Sequence, residues 1–101
     1  MEKIYILGDM DTVSAFRLAG IYGVVATDDR ASVALEEILR KNDAGIVLIT
    51  NELARKMDDR VTEINLTLPS PVVIAIPGLD DTEGFRRSAM GYVSEALGIS
   101  L

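Results

Sequence analysis

Four short apolar runs divide the chain: Ile4 to Leu7, Val24 to Ala26, Ile46 to Ile49 and Val72 to Ile76. They are β-branched and almost uninterrupted by polar residues, the pattern of strands buried on both faces of a parallel sheet. Between them the period changes. Ala31, Ala34, Leu35, Ile38 and Leu39 fall on one helical stripe, with Glu36 four residues before Arg40 and Glu37 four before Lys41. This stretch predicts an amphipathic helix laid on the sheet, with those charge pairs outside. An earlier helix is expected to begin at Asp11, whose carboxylate can cap free backbone N–H groups, and to stop at Gly20, which tolerates left-handed backbone. Val13, Phe16 and Ala19 or Gly20 would then face the sheet. A third helix opens with Asn51 as cap and carries Leu53, Met57, Val61 and Ile64 on one side, with a break expected at Asp58 and Asp59.

Strict alternation of strand and helix leads to an open, doubly wound α/β fold, flavodoxin-like or Rossmann-like, with a four-stranded parallel sheet and helices on both faces. Pro77 and Gly78 end the last strand, and residues 79–84 are polar and without period. Beyond them Phe85, Ala89, Tyr92, Val93 and Ala96 recur at helical spacing. The expected organisation is an α/β core over residues 1–78, then a linker and C-terminal amphipathic helix over 79–101. That helix either packs on the core or docks elsewhere. No internal repeat or low-complexity tract is evident.

The chain has 101 residues, 49% of them hydrophobic, enough for one domain with one core. Ten Lys and Arg against sixteen Asp and Glu give a net charge of -6, which repels phosphate backbones and anionic lipid. Nucleic acid is therefore not an expected partner. The apolar runs are too short for a signal peptide or a membrane span, so a cytoplasmic protein without direct membrane insertion is expected. With no Cys and no His, the chain has no thiolate nucleophile, no imidazole base and no zinc ligand set.

Ligands of doubly wound folds bind beyond the carboxyl ends of the strands. After the first run stand Gly8, Asp9, Met10 and Asp11, with Asp28 twenty positions beyond Gly8. Only one glycine of a dinucleotide fingerprint is present, and two carboxylates would meet the pyrophosphate, so Asp9, Asp11 and Asp28 or Asp29 read as helix caps. A receiver-like signalling domain is the rival reading, since Asp9 and Asp11 could hold Mg²⁺. Thr50, Asn51 and Glu52 nevertheless leave no Asp to accept phosphate, and no Lys follows the fourth strand. The serines lack a His partner. No catalytic residue, metal ligand or cofactor site is assigned. Arg17, Arg86 and Arg87 are the cations that could pair with an acidic partner surface, and Phe85, Ala89, Tyr92 and Val93 are the apolar contacts a partner helix or groove would use.

The run from Gly8 to Ile21, GDMDTVSAFRLAGI, resembles the N-terminal signature of the F subunit of archaeal A-type and related V-type rotary ATPases. Gly45 to Thr50 with Glu52, Leu53 and Ala54, Pro71 to Gly78, and the closing Ala96 to Leu101 are similar to later parts of that family. Gly91 departs from its last helix and lowers helix propensity by about 1 kcal/mol relative to Ala. The resemblance implies a non-catalytic central-stalk component that binds the coiled-coil D subunit of the stalk. It would turn with that coiled coil and help transmit torque between the membrane ring and the A and B catalytic headpiece, peripheral to the membrane as part of that complex. The C-terminal helix would be its contact with the coiled coil or the headpiece.

Overall fold

The computed structural model describes residues 2–79. Along the chain run β1 (Lys3–Gly8), α1 (Met10–Leu18), β2 (Tyr22–Val25), α2 (Asp28–Lys41), β3 (Ala44–Thr50), α3 (Asn51–Lys56), α4 (Asp58–Thr67) and β4 (Val72–Ile76). The strands form one parallel sheet in the order β2-β1-β3-β4. This is the doubly wound α/β arrangement expected. The second strand begins earlier than its apolar run suggests, because pairing of Tyr22 with Tyr5 continues the ladder past the hydrophobic stretch.

Tyr5, Leu7, Val47, Ile49 and Val73 share one sheet face by alternation and register. They form a single core with Ala31, Ala34, Leu35 and Ile38 of α2, Leu53 of α3 and Ile64 of α4. Leu39, Met57 and Val61 pack against its margin. The opposite face carries α1: Gly23, in register with Ile6, lies against the side chains of Val13 and Arg17. Val13 and Thr12 are buried there and Phe16 partly so, whereas Ala19 and Gly20 are exposed rather than facing the sheet. They are exposed because the helix has ended. Ala19 is its last cap, Gly20 adopts φ 85°, and the Gly20 and Ile21 N–H groups donate to the Arg17 and Phe16 carbonyls at 3.0 and 3.3 Å.

Several local expectations are corrected. The first helix starts at Met10 and is capped by Asp9, not Asp11. Asp9 has the extended backbone a cap requires, whereas Asp11 already lies in the first turn, where its charge suits the helix dipole. Likewise Thr27 and Thr50 stand at the cap positions of α2 and α3, which puts Asp28, Asp29 and Asn51 inside the helices. The third helix does break, at Met57. Glu36 does not pair with Arg40; both its carboxylate oxygens accept from the forked guanidinium of Arg60 of α4 at 2.8 Å. Nor are the strands buried on both faces throughout: β4 shields Val73 but exposes Val72 and Ile74.

Candidate functional site

The carboxyl ends of β1, β2 and β3 open into a cleft of about 370 Å³ bordered by Asp9, Thr27, Asp28, Asp29, Thr50 and Glu52. Its rim is acidic. One cation reaches it, since Lys56 pairs with Asp28 and, at 3.6 Å, with Glu52. Among the described residues no group of three or more carboxylates is placed to hold a metal ion.

The N-terminus of α1, where a nucleotide phosphate would sit in this fold, is occupied by the chain itself. Asp9 accepts from the Thr12 backbone N–H at 3.1 Å and from the Thr12 hydroxyl at 2.7 Å. Burial disfavours the Asp9 carboxylate, but these bonds outweigh it and hold its pKa below the usual range. A phosphate would have to displace a satisfied carboxylate in a cleft with three more acids, Asp28, Asp29 and Glu52. β3 then delivers Thr50 and Asn51, neither of which can take a phosphoryl group as an aspartate does.

Asp9 gives the first test. Its native pKa lies below the unfolded value of about 3.9, so the stabilisation from its charge is complete above about pH 5 and is lost as pH falls through the native value. Asp9→Ala should cost about 1 kcal/mol at pH 7 and less at pH 3, read by urea unfolding at both. An equal cost at both pH values would refute the role of the charge.

Among the candidate partner residues, the structure places Arg17 at the β2 edge. Its guanidinium donates to the Gly23 carbonyl at 3.0 Å, so it ties α1 to the outermost strand while remaining exposed. Phe85, Arg86, Arg87, Ala89, Tyr92 and Val93 lie outside the described residues. Two further polar residues matter that the sequence pattern does not single out. Thr12, fully buried, accepts from the Leu79 N–H at 3.0 Å as well as bonding Asp9, so it joins the start of α1 to the chain leaving β4. Its signal is the Asp-x-x-Thr spacing of a cap. Asn65 takes both backbone groups of Val73, accepting from its N–H at 2.8 Å and donating to its carbonyl at 3.0 Å. Nothing local in the sequence marks it.

Fold and site together define a small parallel α/β module whose strand-end cleft, among the described residues, offers neither a phosphate cradle nor a metal-binding cluster. The family described as ATP synthase (F/14-kDa) subunit matches residues 4–93. The chain belongs to that family. It is 37% identical to the F subunit of the A-type ATP synthase of Pyrococcus abyssi and 31% identical to that of Thermococcus kodakarensis, in each case over 98% of this chain and 97% of the relative. The corresponding protein of Archaeoglobus fulgidus is 27% identical over 100% of this chain and 98% of its own. The chain is thus a component of a rotary ATPase. No helix among the described residues is long and apolar enough to cross a membrane.

Proposed function

We propose that this chain is a non-catalytic central-stalk component that binds the coiled-coil D subunit of the stalk and rotates with it. In that position it couples proton or sodium transport in the membrane ring to ATP synthesis or hydrolysis in the A and B headpiece. The observation that carries this reading is the family match over almost the whole chain. The strand-end cleft supports it: the one helix N-terminus a nucleotide would use is closed by Asp9 and ringed by acids. A protein of this kind works by being gripped, so its functional groups are surface contacts. In this reading Phe85, Ala89, Tyr92 and Val93 are the apolar contacts of the C-terminal segment, Arg86, Arg87 and Arg17 pair with acids at the rim, and the protein stays peripheral to the membrane.

Tagged chain is expected to retain the purified D subunit in a pulldown. Phe85→Ala combined with Tyr92→Ala should weaken retention at least about tenfold, since buried aromatics carry most of a helix-in-groove contact. No retention of the coiled coil by the unaltered chain at micromolar concentration would overturn the stalk reading. Undiminished retention by the double variant would overturn the assignment of the C-terminal residues alone.

A further inference from the structure

β4 ends the sheet, so among the described residues one of its sides has no strand to pair with. In a strand the N–H and C=O of one residue point to the same side, and successive residues alternate. Both backbone groups of Val73 are taken by Asn65, which accepts from the N–H at 2.8 Å and donates to the carbonyl at 3.0 Å. Val73 and, by alternation, Ala75 therefore point these groups outward, while Val72, Ile74 and Ile76 point theirs at β3. Pro71, the next outward position towards the start of the strand, has no N–H to offer. Along this edge only Val73 and Ala75 present both a donor and an acceptor, and Asn65 closes the first. Its carboxamide carries the donor and acceptor of a peptide group, so it stands where the backbone of an added strand would.

What the amide covers is a segment suited to pairing. β4 reads VVIAI, uncharged and mostly β-branched, with Val72, Ile74 and Ala75 exposed. On an open edge such a segment is a template for another strand. It is also self-complementary. Two copies set antiparallel about a two-fold axis at Ile74 would place Val73 of each opposite Ala75 of the other, and each such pair exchanges both of its hydrogen bonds. Every pair needs a Val73, so Asn65 blocks them all. We infer that the β4 edge is a latent pairing surface for a second copy of this chain, and that the Asn65 side chain holds it shut. At the other edge Arg17 acts in the same sense but less completely, since it takes the Gly23 carbonyl and cannot accept from the N–H.

Sedimentation of the full chain tests this. Asn65→Ala and Asn65→Ser, neither of which can reach both backbone groups, should tighten self-association at least about tenfold over the unaltered chain. Asn65 is exposed on α4 and Ala is the better helix former, so Asn65→Ala does not weaken the helix itself. Amide exchange identifies the surface. As the concentration of either variant rises, the Val73 and Ala75 N–H groups should become protected, because pairing on this edge is what uses them. Ala75→Pro added to Asn65→Ala removes the other outward N–H and should return association to the level of the unaltered chain. Unchanged self-association would overturn the inference and leave Asn65 as a tie between α4 and β4. So would association that left Val73 and Ala75 unprotected or that survived Ala75→Pro, and so would failure of both single variants to fold.

Discussion

Leu35→Ala is expected to lower the free energy of unfolding by about 2–5 kcal/mol, whereas Val33→Ala, two residues earlier on the same helix, stays within about 0.5 kcal/mol. Leu35 is fully buried in the core that α2 shares with β1 and β3, so truncation removes its transfer free energy and leaves a cavity the sheet cannot close. Val33 is exposed, and Ala is the better helix former. Urea unfolding should show the Leu35→Ala midpoint falling at unchanged slope, the mark of lost stability without altered compactness. A Leu35→Ala loss below about 1 kcal/mol would mean that α2 is not the lid of the core.

Gly8→Ala is the second large effect, at about 1–3 kcal/mol, although it adds only a methyl group. A Cβ there would stand 2.6 Å from the Thr50 Cγ2, and Thr50 is a buried, β-branched residue at the junction of β3 and α3. Its branched Cβ makes χ1 stiff, and its burial leaves little room for the methyl to turn away. The strain falls at the carboxyl end of the sheet, where the Gly8 carbonyl also accepts from the Ala26 N–H at 3.0 Å. Gly45→Ala is the comparison: there a Cβ would stand 2.5 Å from the Oε2 and 2.7 Å from the Cβ of exposed Glu2, so relief needs a shift of residue 2, which lies outside β1, rather than of a buried side chain. Thermal unfolding should lower the Tm several degrees for Gly8→Ala and little for Gly45→Ala. Equal shifts would show that the contact with Thr50 is relieved by the backbone.

The sequence by itself determined the element order, the parallel sheet and the faces of α2 and of α3 with α4. Those follow from hydrophobic period, and the pairing of Leu35 and Ile38 with the core needs nothing beyond it. It also determined the Gly20 stop and, by residue types alone, the want of thiol and imidazole chemistry. Only the tertiary structure decided what depends on residues far apart in the chain. Glu36 has Arg40 four residues on in its own helix but bonds Arg60, and the choice is fixed by where α4 places Arg60. Thr12 becomes a hub because β4 returns Leu79 to it, and Asn65 guards the sheet edge because α4 lies alongside β4. The exposure of Val72 and Ile74 is likewise invisible in the runs: Val72 to Ile76 reads as a strand buried on both sides, yet burial is set by what stands over each face. Period reports which side chains share a face, because it is a property of local backbone geometry. Which element covers that face is decided by the path of the whole chain.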